Sequence, residues 1–387
     1  MNIMRRICIF ASHYFRYLGG IERYTYNLSK ALMAMGDEVL IVTNNDVKEK
    51  SFEVMDGIGV LRLPCYNLMS GRYPVTKPNK EFWEAWKKLW GKEFDLVLIN
   101  ARFYPHTLLG AWFAKRRGIR CLILDHGTSH MTVGKKFPDL VFAAVEHVIT
   151  WGDRRLCREY FGVSKACCKW LRHFHIQAEG VLYNAVNAEN ITRIAQNPTE
   201  DFRKKYGLEA DTALIVYTGR LLKEKGIFKL IKAVEQMETS REVCLFIAGD
   251  GEEMEGVKAC ESHRIKPLGR LDFKNIASLL GQAEIYCLPT EYPEGFPTSV
   301  LEAAAAGCYV ITTNRGGSGE LLVDRSYGTI LEQVTVEGLK EELERVLANE
   351  EERKRAAAKA QKRVHQLFTW EKTAHKVHQL AEEGVLE

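Results

Sequence analysis

Short apolar runs, each about as long as one strand, recur along the chain, and between them lie stretches whose apolar residues fall at three- and four-residue spacing. Continuous runs of that length suit strands buried on both faces, and the amphipathic stretches suit helices that cross over between parallel strands. In the first half, strands are expected at Arg6–Ala11, Glu38–Thr43, Ile58–Leu63, Leu96–Asn100, Arg120–Leu124, Val145–Thr150 and Gly180–Tyr183. Helices are expected at Glu22–Met35, which Gly36 closes, and at Pro105–Arg117, which opens on proline and closes at Gly118. A second series places strands at Ala213–Thr218, Val243–Ala248, Ile265–Leu268, Glu284–Leu288, Tyr309–Thr312 and Gly328–Leu331. Residues 337–387 read as nearly continuous helix broken around Phe368-Thr369-Trp370, and the polar stretch Asn184–Asp201, with Asn197-Pro198, reads as a linker. The pattern predicts an α/β chain of two Rossmann-like, doubly wound domains, residues 1–183 and 184–368. A final helix, 369–387, is expected to pack back toward the first domain. Two such domains facing each other make a cleft, and in open α/β sheets ligands bind outside the carboxyl ends of the strands.

Composition adds limits. The 387 residues are enough for two or three domains, and 46% hydrophobic with 27% charged residues excludes a disordered or collagen-like chain. The net charge of +4 conceals an asymmetry: residues 1–183 carry 27 Lys and Arg against 17 Asp and Glu, and residues 184–387 carry 27 against 33. A basic half suits an anionic partner such as phospholipid, a lipid diphosphate or nucleic acid, and halves of opposite sign can also attract one another. The ten cysteines form no C-x-x-C pair and mostly sit inside apolar runs, as small hydrophobes in a reducing compartment do. The first apolar run is strand-length and is followed by His13 and Arg16, unlike a secretory signal, and no stretch reaches the roughly 18 apolar residues of a spanning helix. A cytoplasmic protein is expected, attached at most peripherally to the inner face of the plasma membrane.

Four constellations carry candidate chemistry. In Glu291–Ala303, EYPEGFPTSVLEA, Pro293 and Pro297 constrain a turn after a strand, Gly295 permits close backbone approach, and Thr298 or Ser299 can cap the following helix. Amides at that helix start suit an anion, while Glu294 and Glu302, eight apart, suit sugar hydroxyls better than phosphate. The bland alternative is a capped surface helix. In Tyr217–Gly226, Arg220 and Lys225 flank a post-strand loop containing Gly219 and can converge on a diphosphate. Gly19-Gly20 at the first strand–helix turn allows amides to approach a phosphate, yet neither G-x-G-x-x-G nor the P-loop pattern occurs, which disfavours a dinucleotide dehydrogenase or an NTPase. In Asp125–His130, DHGTSH, the two histidines lie four apart without a third ligand at metal spacing, so a polar contact from His126 to substrate is expected rather than zinc. His13, His173 and His175 read as structural or surface groups.

These motifs resemble the retaining glycosyltransferases of family 4, which have the GT-B fold. The resemblance rests on Gly19-Gly20-Ile21-Glu22-Arg23, Gly219-Arg220 with Lys225-Gly226, Gly249-Asp250-Gly251, Glu294-Gly295-Phe296-Pro297 through Glu302-Ala303, and Gly316-Gly317 with Glu320. It implies a nucleotide-sugar donor held mainly by the second domain and no metal cofactor. Arg220 and Lys225 would grip the diphosphate, and Glu302 the ribose. Glu294 and the amides of Phe296, Pro297 and Thr298 would surround the donor sugar, with only Phe296 and Thr298 having an N–H to offer. Gly20 would close over the phosphates, Arg270 and Leu271 would sit beside the base, and His126 would face the transferred sugar. Asn184-Ala185-Val186-Asn187 and Gly36-Asp37 depart from the family's usual Asn-Gly-Val-Asp and Gly-His, and the insertion Phe15-Arg16-Tyr17 is individual.

The acceptor side is less defined. Trp83, Trp86, Leu89 and Trp90 follow helical spacing beside Lys87 and Lys88, as either a core-facing stripe or an interfacial membrane helix would. The expected partners are a nucleotide-sugar donor, a glycan or lipid-linked acceptor and an anionic membrane touched through the first domain, with no nucleic acid. Surface polysaccharide or lipopolysaccharide assembly fits such partners. The rival readings are a nucleotide-sugar epimerase or hydrolase on the same fold, and a non-catalytic nucleotide-sugar-binding subunit.

Overall fold

The computed structural model describes residues 4–14, 19–46, 48–132, 134 and 136–383. Phe15-Arg16-Tyr17 lies outside them. The chain divides into two compact units, Met1–Asn184 with Trp370–Glu387, and Ala185–Thr369. The domain boundaries expected at 183/184 and 368/369 thus fall one residue later, and the last helix is part of the first unit.

The first unit contains β1 (Arg6–Ala11), β2 (Glu38–Asn44), β3 (Phe52–Met55), β4 (Ile58–Leu63), the hairpin β5 (Cys65–Leu68) and β6 (Tyr73–Thr76), β7 (Leu96–Asn100), β8 (Arg120–Asp125), β9 (Glu159–Gly162) and β10 (Gly180–Val181). Its main sheet runs β10-β9-β8-β7-β1-β2-β4-β3 and is parallel except for β3. The second unit contains β11 (Ala213–Thr218), β12 (Val243–Ala248), β13 (Ile265–Gly269), β14 (Ile285–Leu288), β15 (Tyr309–Thr313) and β16 (Thr329–Leu331). These form a wholly parallel sheet in the order β13-β12-β11-β14-β15-β16. Every residue of β7, β11 and β12 is buried, which is why these strands read as unbroken apolar runs.

Two expectations fail. Val145–Thr150 is not a strand but part of the helix Lys136–Leu156, whose buried positions are Glu146, Ile149, Thr150 and Asp153. The spacing of those four is helical, but two are acidic, and the apolar Val145 and Val148 point outward. Asn184–Asp201 is not an open linker: Asn187 caps the helix Ala188–Gln196, which buries Ala188, Ile191 and Ile194. Glu22–Met35 forms as Gly20–Ala34, and the tail forms Val336–Ala348, Glu350–Leu367 and Trp370–Glu383. The Trp-rich helix Lys80–Trp90 turns Phe82, Trp86 and Leu89 into the core and Trp83 outward. All ten cysteines are free thiols, and among the described residues no helix is long and apolar enough to cross a membrane.

The returning helix Trp370–Glu383 is held by polar contacts as well as by its apolar face. Thr373 donates to the Tyr183 carbonyl at 2.9 Å, Arg120 donates to the Leu380 carbonyl at 2.8 Å, and His378 Nδ1 lies 2.9 Å from the buried Asp37 carboxylate. Asp37, one of the departures from the family pattern, also accepts from the Arg5 amide at 3.0 Å. Removing the imidazole leaves a buried carboxylate short of a partner, so His378→Ala should lower the unfolding free energy by about 2–4 kcal/mol in urea titrations. A loss below the error of the titration would show that the contact contributes nothing.

Candidate functional site

In the second unit, chain order runs from β11 outward to β12 and β13, then returns to lay β14 on the other side of β11. The loops after β11 and β14 therefore leave the sheet in opposite directions, and a crevice opens where they part. Lys225, after β11, and Glu294, after β14, meet there: Nζ is 2.9 Å from Oε1, with both side chains largely buried. The Glu291 amide also donates to the Glu224 carbonyl at 2.7 Å, so the two loops are tied by backbone as well as by charge. Arg220 is exposed on the same loop as Lys225, and its carbonyl accepts from the Tyr217 hydroxyl at 3.0 Å.

Glycines let these loops pack at backbone contact. A side chain at Gly249 would place Cβ 1.9 Å from the Gly219 carbonyl oxygen, so the turn after β12 lies directly on the turn after β11. Gly316 has φ +57°, and a Cβ there would stand 2.5 Å from the Gly295 oxygen and 2.6 Å from that of Glu294. The loop carrying Glu294 is thus seated on the loop after β15. Gly269 ends β13 beside this row, its carbonyl accepting from the Gly249 amide at 2.8 Å; Arg270 beyond it is exposed and Leu271 half-buried.

The helix after β14 is Thr298–Ala306, with Pro297 at its N-cap. The expected cap from Thr298 or Ser299 does not form: both lie inside the helix, and the N-cap position supplies no side-chain bond to the first amides. Ser299 instead bonds the buried Tyr286 hydroxyl. The amides of the first turn therefore face the crevice end with their positive partial charge unanswered by a capping side chain. Phe296 is buried with its ring edge-on to Phe368 at 5.1 Å, and Glu302 is half-buried one turn into the helix.

In the first unit the order changes between β1 and β7 in the same manner. Gly20 opens the helix Gly20–Ala34. Glu22 folds back so that a Cβ at Gly19 would meet its Oε2 at 2.3 Å, and burial raises its carboxyl even though it accepts from the Gly19 amide. A Cβ at Gly20 would meet nothing within 4 Å, so the protein itself makes no steric demand for glycine there. His126 follows β8. Its Nε2 is 3.3 Å from Asn100 Oδ1, its ring stands edge-on to Tyr24 at 4.9 Å, and Asn100 Nδ2 donates to Thr25 Oγ1 at 2.7 Å. The Thr25 contact orients the amide so that Oδ1 faces the ring, which makes Nε2 the protonated nitrogen and Nδ1 an acceptor. Burial lowers His126 to about 3, so the ring is neutral at physiological pH. His13, read as structural, is buried against Asp46 at 2.9 Å.

Two family descriptions match the chain in succession: "Glycosyltransferase Family 4" over residues 18–190 and "Glycosyl transferases group 1" over residues 198–363. The chain belongs to the family 4, group 1 glycosyltransferases. An uncharacterized glycosyltransferase of Methanocaldococcus jannaschii is 24% identical, over 97% of this chain and 98% of that protein. A human phosphatidylinositol N-acetylglucosaminyltransferase subunit is 25% identical, over 97% of this chain and 75% of its own length. The solved structure of Anabaena HepE in complex with UDP and glucose shares the fold, with a TM-score of 0.72 at 17% identity, covering 98% of this chain and 100% of that one. The two largely parallel sheets are those of a GT-B glycosyltransferase.

In this glycosyltransferase the predicted residues fall into two groups, each within its own unit. Gly219, Arg220, Lys225, Arg270, Leu271, Glu294, Phe296, Pro297, Thr298 and Glu302 lie on one edge of the second sheet or in the first turns of the helix that starts there, and Gly20 and His126 on the corresponding edge of the first. The Lys225–Glu294 pair and the Asn100 contact to His126 escape sequence reasoning: each joins residues distant in the chain, and Asn100 is legible only as the polar end of an apolar strand.

The depressed value of His126 has a thermodynamic consequence. Its folded value lies below the 6.5 of an ordinary histidine, so its contribution to stability is present above about pH 6.5 and is lost as the pH falls toward 3. His106, lowered to about 4 by burial, acts in the same sense. Unfolding free energy should therefore decline below about pH 6.5, and His126→Gln should show a shallower decline between pH 6 and 4 in urea titrations. Parallel pH profiles for the two proteins would exclude a buried neutral imidazole.

Proposed function

We propose that this enzyme transfers a sugar from a UDP- or GDP-sugar to a glycan or lipid-linked acceptor with retention of configuration, in cell-surface polysaccharide or glycolipid assembly. The observation that carries this reading is the Lys225–Glu294 contact at the crevice of the second sheet, beside a helix start with no side-chain cap. An ammonium has three N–H donors, so Lys225 can hold Glu294 and a phosphate oxygen together. Arg220 adds a planar cation on the same loop, and the first amides of Thr298–Ala306 add partial positive charge. As the sugar–phosphate bond breaks, negative charge grows on the departing diphosphate and positive charge on the sugar. Fixed cations and amides at the diphosphate stabilise that change most at the transition state, and they supply what a metal supplies in other transferases.

The remaining roles follow from chemistry and position. Glu294 accepts from donor-sugar hydroxyls and Glu302 from the ribose. Arg270 and Leu271 border the base, and Gly20 lets the first helix approach the phosphates without a side chain between them. His126, protonated on Nε2, offers Nδ1 as acceptor to a sugar hydroxyl. The acceptor hydroxyl attacks from the face the diphosphate leaves and gives its proton to a diphosphate oxygen, so no side-chain base is needed. The UDP of the Anabaena structure and the lipid acceptor in the name of the human relative support the substrate classes.

Arg220→Ala should fold normally and lose transfer by roughly 10²–10³-fold, because the charge removed acts on the leaving group. Glu302→Ala should weaken binding of the free nucleoside diphosphate by about tenfold or more in calorimetry, with UDP, GDP and ADP compared to assign the base. Full transfer by the first variant, or unchanged nucleotide affinity in the second, would refute these roles.

Contact with an anionic membrane has its own support. The first unit carries 29 Lys and Arg against 21 Asp and Glu. Its helix Lys136–Leu156 exposes Phe137, Leu140, Val141, Val148 and Trp151, the last with the Arg155 guanidinium 3.4 Å from its ring centre. An apolar stripe bordered by arginine is suited to lying in a headgroup layer. The wild type should sediment with vesicles containing phosphatidylglycerol and not with pure phosphatidylcholine, and Leu140→Asp with Val148→Asp should abolish it. Equal sedimentation with both vesicle types would end this reading.

A further inference from the structure

One cluster of ligand-type side chains has no part in the proposed transfer. His130 lies on the loop after β8, His147 on the helix Lys136–Leu156, and His173 in the short turn Arg172–Phe174. A ring nitrogen of each lies within 4.8 Å of those of the other two, and the Nε2 atoms of His130 and His173 are 3.1 Å apart. A tetrahedral ion about 2.05 Å from each nitrogen holds imidazole nitrogens about 3.3 Å apart, so His130 and His173 are close to that spacing already and His147 would close a remaining gap of at most about 1.5 Å.

The surroundings are those of a built site. His130 Nδ1 is 2.7 Å from Glu146 Oε2, and the Glu146 side chain is only 4% exposed. The second Glu146 oxygen is bound by the guanidinium of Arg102, which also donates to Thr150 Oγ1 at 2.6 Å and lies 3.7 Å from the Phe174 ring centre. A carboxylate fixed in this way sets His130 as an Nδ1–H donor and turns its Nε2 lone pair toward the other imidazoles, the arrangement that orients metal-binding histidines. His173 lies flat on Trp170 at 4.8 Å, and His147 packs on Phe174 at 4.7 Å, so both rings have apolar backing.

We propose that His130, His147 and His173 bind one transition-metal dication of the zinc class, with Glu146 as the positioning residue and a fourth coordination position open to solvent. Three imidazoles suit zinc, cobalt, nickel or copper rather than magnesium or calcium. The ion would tie the loop after β8, which begins with His126, to two other segments of the same unit.

The test uses the full chain without a histidine tag, stripped with chelator and titrated with cobalt(II) chloride. Expected are visible absorption bands of a low-coordinate cobalt site saturating at one equivalent, their loss on adding zinc, and a higher melting temperature with zinc but not with magnesium. His147→Ala changes an exposed ring, so the fold should survive by circular dichroism while affinity falls at least tenfold. Glu146→Gln should weaken binding by roughly 10–100-fold. The exposed His263→Ala, in the other unit, should bind as the wild type does. Absence of cobalt bands in the wild type, or equal affinity in wild type and His147→Ala, would overturn the proposal, whatever the transfer activity.

Discussion

A parallel sheet places the carboxyl ends of all its strands on one edge, and a reversal in strand order forces adjacent loops on that edge apart. In the second unit the reversal falls between β11 and β14, and the Lys225–Glu294 pair spans the resulting gap. A fixed opposite charge at 2.9 Å holds each side chain in place in a partly buried setting. The same two groups then present an ammonium and a carboxylate side by side, which suits a ligand with both phosphate and hydroxyl groups. The glycines answer to this geometry. Gly249 and Gly316 stand where neighbouring turns touch through backbone, and any side chain there would push apart the loops that carry Arg220 and Glu294.

The first unit repeats the topology with different chemistry. Asn100, Thr25 and Tyr24 set one neutral imidazole, and no cationic pair stands at its reversal among the described residues. Tyr24 also lies edge-on to Trp370 at 5.2 Å and donates to the Leu182 carbonyl at 3.1 Å. One tyrosine thus links the ring of His126, the end of the first pass through the unit and the start of the returning helix. That helix is held at its far end by Asp37 and Arg120.

The fold was legible where burial is two-sided. Leu96–Asn100, Ala213–Thr218 and Val243–Ala248 are apolar throughout because both faces of these strands are covered, and the structure ends them at the residues the pattern indicates. It was illegible where the buried face is polar or the pairing is long-range. Val145–Thr150 looks like a strand because its apolar residues form a run, yet the helix turns Glu146 and Thr150 inward to meet Arg102. The hairpin β5–β6 has one strand largely exposed, so it leaves no apolar alternation to detect. In the second unit, the members of each motif sit within a dozen residues of one another, and their spacing alone suggests the chemistry. The three clustered histidines come from three separate segments, and no spacing rule on one sequence brings them together.

The helix Lys136–Leu156 shows why its composition resists a simple reading. At about 100° per residue, Glu146, Ile149, Thr150 and Asp153 fall on one side, and Phe137, Leu140, Val148 and Trp151 on the opposite one. The polar side is buried against Arg102, and the apolar side is exposed, an inversion of the usual surface helix. A buried guanidinium is costly without partners, so Glu146 and Asp125 inside the unit are the electrostatic answer to Arg102. That accounts for the inner face. The outer face is exposed, with the Arg155 guanidinium 3.4 Å from the Trp151 ring centre, and a contiguous apolar stripe of this kind suits contact with another apolar surface. His147, about 100° from Glu146, lies between the two faces, where its ring reaches the other histidines without entering either. The helix therefore divides by angle into a face buried in the fold, a face left largely exposed, and an edge of ligand character between them.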